Sequence, residues 1–169
     1  MGVDEQSIRL KKQKTVFQLR IQEYQTEDLI FAKGVNMANT NVDIINKFFE
    51  AYGKRDMEGL KEALWEDVQW IFPGNHKLSG IKKGIAEVIE FFDIMGSIMS
   101  SSNTQVEKLV MGINEDYVSE CQYIHTDRND KINLNQNMCV LWKFKDGRII
   151  EGQHLISNQK EADDYFQTA

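Results

Sequence analysis

Glu120 and His154 are the side chains whose types and settings point to acid–base chemistry. Glu120 lies in Val118-Ser119-Glu120-Cys121-Gln122-Tyr123-Ile124, an alternating pattern that shares one strand face among Val118, Glu120, Gln122 and Ile124. An unpaired carboxylate on an apolar wall is costly, so such a group is protonated, paired or functional. A carboxyl whose pKa is raised by burial suits a general base near neutrality. A one-residue slip of register would make it an ordinary solvated glutamate instead. His154 can serve as acid or base, or donate to a ligand carbonyl; the alternative is a structural imidazole bonded to a backbone carbonyl. Gln122 can orient a polar ligand end or bond a neighbouring strand. Phe48, Tyr52, Trp70, Phe72, Met138, Val140 and Trp142 are candidates for an apolar lining, although aromatics at these spacings also make plain core. His76 follows the Pro73-Gly74 turn and is expected in a loop beside the pocket mouth, as a surface histidine. His125 is expected on the outer face. Three scattered histidines lack metal-ligand spacing, so neither a metal nor another cofactor is expected.

These side chains need a sheet to hold them. Strands are predicted over roughly 104–113, 117–127, 134–145 and 148–156, joined by short turns into an antiparallel meander. A 117–145 hairpin symmetric about Asp130 sets Cys121 opposite Cys139, Glu120 opposite Val140, Gln122 opposite Met138 and Val118 opposite Trp142. The face that carries Glu120 then carries Met138, Val140 and Trp142, the larger apolar set, and is turned inward. The last hairpin has two readings. A two-residue Asp146-Gly147 loop points Glu151 and Gln153 inward. A three-residue loop with a bulge at Gly147 points Ile150, Gly152, His154 and Ile156 inward and sets Met138 opposite His154; it buries the more apolar set and is preferred. Cys121 and Cys139 are expected as two free thiols.

Upstream, Thr40-Asn41-Val42-Asp43 resembles a capping box, and Val42, Ile45, Phe48, Phe49 and Tyr52 follow helical spacing up to Gly53. Asp56 can cap a short helix with Leu60, Ala63 and Leu64. Val68, Trp70 and Phe72 alternate as a strand that Pro73-Gly74-Asn75 stops. A third helix carries Ile85, Val88, Ile89, Phe92 and Met95, and Gly96 with Ser97 to Asn103 ends it. A last helix follows Ser157-Asn158. Helices first and sheet second make an α+β fold.

The chain has 169 residues, 41% hydrophobic and 27% charged, which suits one globular domain and not a disordered chain. A net charge of −6 disfavours a nucleic-acid footprint. No apolar run has membrane-spanning length and no signal peptide opens the chain, so a cytoplasmic protein without membrane contact is expected. Residues 1–36 differ from the rest: they hold six basic and five acidic residues, against fourteen and twenty-one over 37–169. Lys33-Gly34-Val35-Asn36 can be encoded with a ribosome-binding sequence before Met37, so 1–36 is read either as a non-native leader or as an ordinary extension of a single domain over 37–169.

Trp70-Ile71-Phe72-Pro73-Gly74-Asn75-His76-Lys77-Leu78-Ser79-Gly80 resembles the W-x-F-P-G-x-x-P-L-x-G segment of SnoaL-like proteins, and Phe144-Lys145-Asp146-Gly147-Arg148-Ile149-Ile150-Glu151 is similar to their F-x-D-G-K-I-x-E hairpin. The helix Val42 to Tyr52, followed by Gly53-Lys54-Arg55-Asp56, matches their opening, and the likeness covers about residues 40–166. Lys77 departs from the usual proline. The resemblance implies the nuclear-transport-factor-2-like cone: a curved antiparallel sheet wrapped around three N-terminal helices, a mostly apolar cavity, and an outer sheet face that makes a homodimer. It implies a small apolar or aromatic carbonyl-type ligand in that cavity, with isomerase or cyclase chemistry. The alternatives are a non-catalytic ligand binder and a dimeric interaction protein. Ketosteroid isomerisation on this fold uses a tyrosine and two aspartates; alignment sets them at Phe48, Phe72 and Val140, all apolar, so that mechanism is not expected. The Asp-Arg-Asp set of limonene-epoxide-hydrolase-like chemistry is absent from the cavity side as well.

Overall fold

The computed structural model describes residues 35–168. Its elements run α1 (Val35–Lys54), α2 (Met57–Ala63), β1 (Leu64–Phe72), β2 (Gly80–Lys83), α3 (Gly84–Ser100), β3 (Gln105–Ile113), β4 (Tyr117–His125), β5 (Asn135–Lys145), β6 (Arg148–Ile156) and α4 (Gln159–Thr168). The strands form one curved sheet in the order β2-β1-β6-β5-β4-β3. All neighbours are antiparallel except β1 and β6, which run parallel. This is the expected α+β cone, with β2 as an added edge strand. Residues up to 34, and with them most of the 1–36 extension, lie outside the described residues.

The helices cover the concave face with their apolar stripes. Ile45, Phe48, Phe49 and Tyr52 of α1 follow i, i+3, i+4, i+7 spacing and meet Phe91 and Phe92 of α3 and Tyr165 and Phe166 of α4 in one core. That core rests on Val68, Trp70 and Phe72 of β1 and on the inward residues of β4 to β6.

Helix ends depart from local expectation. α1 begins at Val35, so Thr40 to Asp43 form no capping box; Asn41 instead donates its side-chain amide to the Glu115 carbonyl at 2.9 Å, tying α1 to the β3–β4 turn. Gly53 does not end α1. Arg55 does, at φ 58°, with Arg55 N–H bonded to the Tyr52 carbonyl and Asp56 N–H to the Ala51 carbonyl. This is a Schellman closure with arginine where glycine is usual. The guanidinium is held by both Asp93 oxygens, at 2.7 and 3.1 Å, and lies 5.0 Å over the Tyr52 ring, which offsets the left-handed backbone. Asp56 caps α2 as expected, accepting from Gly59 N–H at 3.1 Å. α3 runs past Gly96 to Ser100, where the Ser101 and Ser102 hydroxyls both donate to the Ile98 carbonyl.

The β4–β5 register is the expected one, with Cys121 opposite Cys139 and Glu120 opposite Val140. The last hairpin follows neither expected form. Its loop is the two-residue one, with Asp146 and Gly147 both at positive φ (48° and 72°) as a type I′ turn demands. The bulge lies farther up the strand, at Ile150, between the Phe144–Ile149 and Lys143–Glu151 pairs. That extra residue restores Gly152 and His154 to the inner face and puts Ile149, not Ile150, in the core. His154 therefore opposes Val140, and Met138 opposes Ile156 rather than His154.

Gly152 is required for space. A Cβ there would stand 2.0 Å from Cζ3 of Trp70, whose indole lies flat across the glycine. Gly152→Ala is expected to destabilise the fold by about 1–3 kcal/mol or more through overpacking. Gly53→Ala, with nothing within 4 Å of the new methyl at an exposed position of α1, is expected to stabilise it by about 0.5–1 kcal/mol. Denaturant midpoints of the two variants measure both signs.

Candidate functional site

Two transverse rows of side chains cross the concave face. The first runs Met111, Glu120, Val140, His154 over β3 to β6; the second runs Val118, Trp142, Gly152, Trp70 over β4, β5, β6 and β1. Burial alternates along β4 and β5, so residues two apart share the inner face and both rows point inward. Glu120 is 3% exposed and His154 6%. Both face the interior, as does Gln122, which donates its amide to Oε1 of Glu120. That bond fixes the carboxylate and leaves its buried Oε2 with no partner among the described residues. A buried acceptor left unmade costs about 1–3 kcal/mol, so its retention calls for a reason.

Around this row the rings close on one another. Phe72 lies 4.5 Å from His154, Trp70 5.7 Å from His154, Trp70 4.9 Å from Trp142, and Phe48 6.1 Å from Trp142, centroid to centroid. Met138 and Val140 are buried beside them. Contacting aromatics thus fill the concave side around this row. Tyr52 belongs to the same cluster through Phe48 and Phe92, but its hydroxyl is committed to Asp93 at 2.5 Å. Burial and that carboxylate push the phenol well above its usual pKa, so it stays neutral. Asp93 was not a sequence candidate, because nothing local links position 93 to positions 52 and 55.

On the outer face Cys121 and Cys139 bring their sulfurs to 2.8 Å as free thiols. Burial, then the neighbouring Cys121 thiol, pushes Cys139 up to about 12, which leaves it a poor thiolate source. Among the described residues no three His, Cys, Asp or Glu side chains are grouped to hold a metal, and no helix is long and apolar enough to cross a membrane. A separate cleft of about 420 Å³ between α1 and α2 contains none of the candidate residues.

The SnoaL-like domain profile matches residues 45–152, which takes in both transverse rows up to Gly152. The chain belongs to the SnoaL-like domain family. Its nuclear-transport-factor-2-like fold is shared with Bal32a, from a soil-derived mobile gene cassette, at TM-score 0.63 and 23% identity over 78% of this chain and 99% of that one. TerC, co-crystallised with polyporic acid, matches at TM-score 0.56 and 17% identity over 77% and 99%. The uncharacterised protein Rv0034 of Mycobacterium tuberculosis is 22% identical over 111 residues, 66% of this chain and 84% of that protein.

In this SnoaL-like chain the Trp-x-Phe-Pro-Gly segment delivers His76 differently from expectation. It is no surface loop residue: it is 8% exposed and sits against Phe72 and Phe166, each 5.1 Å away. The Leu78 N–H donates to its Nδ1 at 3.1 Å, which assigns the proton to Nε2, 3.9 Å from the Asp163 carboxylate. Apolar neighbours from β1 and α4 bury what the sequence leaves as a polar loop. Burial holds this imidazole below the usual histidine pKa; Asp163 and the Pro73 carbonyl oppose the shift, and Lys82 adds to it. The unfolded chain therefore takes up a proton near pH 6.5, roughly the free-histidine value, before the folded one does. Stability from this residue is full above that pH and is lost as pH falls below it. His76→Asn, which keeps an acceptor for Leu78, is expected to flatten the fall in melting temperature between about pH 7 and pH 5.5.

Proposed function

We propose that this SnoaL-like protein binds a small, mostly apolar aromatic carbonyl-type ligand against the concave face, with isomerase or cyclase chemistry carried by Glu120 and His154. The observation that carries the reading is the Glu120 carboxylate: buried, clamped by Gln122 on one oxygen, and unpartnered on the other among the described residues. A buried base held in one orientation, in aromatic surroundings that exclude water, suits removal of a proton from carbon next to a carbonyl. His154 shares the row through Val140, which supports a role for it in returning a proton or steadying the oxygen. The co-crystallisation of TerC with polyporic acid supports a cone of this kind as a container for an organic ring compound. The rings around Glu120 touch one another, so entry requires the cluster to part, and affinity is reduced by the work of opening it.

The outer face supports a homodimer. Val110, Cys121, Cys139 and Leu155 are register partners across β3 to β6, and Val110 and Leu155 are 58% and 46% exposed. An apolar row of this kind on a sheet face is covered in a symmetric pair. We place the protein in the cytoplasm, where two adjacent thiols stay reduced.

Native mass spectrometry of freshly purified protein is expected to find a bound organic mass that Glu120→Gln lowers at least tenfold in occupancy. No adduct on the wild type, with identical spectra for the variant, overturns the reading. Leu155→Glu is expected to shift the molar mass in light scattering from dimer to monomer while leaving ligand occupancy unchanged.

A further inference from the structure

The chain has three tryptophans, and they divide by what their indole N–H groups meet. Trp65 donates to the Lys145 carbonyl at 3.1 Å. Trp70 and Trp142 are fully buried, and neither Nε1 has an acceptor among the described residues. A buried indole N–H normally finds a partner, because the group can only donate. The two exceptions are neighbours: their rings stand 4.9 Å apart at 71°, and both lie on the row next to Glu120 and His154. Trp142 is the diagonal cross-strand neighbour of Glu120, a separation of about 7–8 Å between backbones that is within the reach of long side chains. Two adjacent inward rows thus hold three buried polar atoms without partners among the described residues: two donors and one carboxylate acceptor.

We propose that the Trp70 and Trp142 N–H groups form the donor half of the ligand site, receiving a carbonyl oxygen, while Oε2 of Glu120 accepts from a hydroxyl of the same ligand. This rests on the reading that Glu120 meets a ligand. It narrows the ligand to an aromatic hydroxy-ketone, because each half of the site satisfies one of the two groups. A carboxylate ligand would offer the indoles an acceptor too. It fits less well: no Lys or Arg is among the buried residues described, and Glu120 would repel it. In a reaction next to the carbonyl, negative charge develops on the oxygen that faces the indoles. Neutral donors fixed in advance favour that charge without reorganising.

Titration calorimetry with three naphthalenes tests the assignment: 2-naphthol offers only a donor, 2-acetylnaphthalene only an acceptor, and 6-acetyl-2-naphthol both. The wild type is expected to bind 6-acetyl-2-naphthol tightest. Trp142→Phe and Trp70→Phe keep a ring in the cluster and remove the N–H. Each is expected to weaken the two acetyl compounds about five- to tenfold, the worth of one buried hydrogen bond, and to leave 2-naphthol within about twofold. Glu120→Gln is expected to weaken the two hydroxyl compounds and spare 2-acetylnaphthalene. If the wild type binds the probes but the tryptophan variants weaken all three alike, or none, the donor pair is wrong and the cavity reading stands. If the wild type binds none of them at millimolar concentration, the cavity reading itself fails, and this one with it. Circular dichroism checks each variant's fold. Should Trp70→Phe not fold, the Trp142→Phe comparison of 2-acetylnaphthalene with 2-naphthol decides alone.

Discussion

Between Phe144 and Lys143 of β5 the partner strand β6 carries one residue more than the pairing needs, and Ile150 takes up the excess. Without it, a tight two-residue turn at Asp146-Gly147 would aim Glu151 and Gln153 at the aromatic core, two polar groups with no partners there. With it, Gly152 and His154 face inward, and the glycine leaves the flat space that the Trp70 indole fills. Trp70 in turn braces Trp142 and Phe92 at 4.9 and 4.8 Å. The inner wall of the protein thus depends on where one strand makes its irregular step.

The same step sets the polar row. Glu120, Val140 and His154 line up across three strands only because β5 and β6 resume regular pairing beyond the bulge. The row is polar at both ends and apolar in the middle, and aromatic rings seal it from water. In such surroundings each polar atom counts for more than it would at a surface, whether paired or unpaired. Gln122 settles one oxygen of Glu120, while the second oxygen and the two indole N–H groups have no partner among the described residues.

Elsewhere polar groups are used to lock elements together. Arg55, Asp93 and Tyr52 join the end of α1 to α3, and Asp163 reaches from α4 to the Asn75 N–H and towards His76. The first clamp ties helix to helix, and the second ties α4 to the loop that follows β1. They fix the frame within which any opening of the cluster must occur.

Alternation alone placed Glu120, Gln122, Met138, Val140 and Trp142 on the inner face, and hairpin symmetry paired Cys121 with Cys139. Both are local properties: side chains alternate with period two, and a continuous ladder carries the register from turn to turn. The cap at Asp56 was legible for the same reason. Other features turned on contacts distant in sequence. Arg55 and not Gly53 closes α1 because Asp93, thirty-eight positions away, holds the guanidinium. His76 is buried because α4 folds back over its loop. The bulge settled at Ile150 rather than Gly147 because the strand had to satisfy a tight turn at one end and the Trp70 ring at the other. Sequence determined which residues share a face; the tertiary structure decided which groups that face would meet, since burial and partnership belong to surfaces brought together from distant parts of the chain.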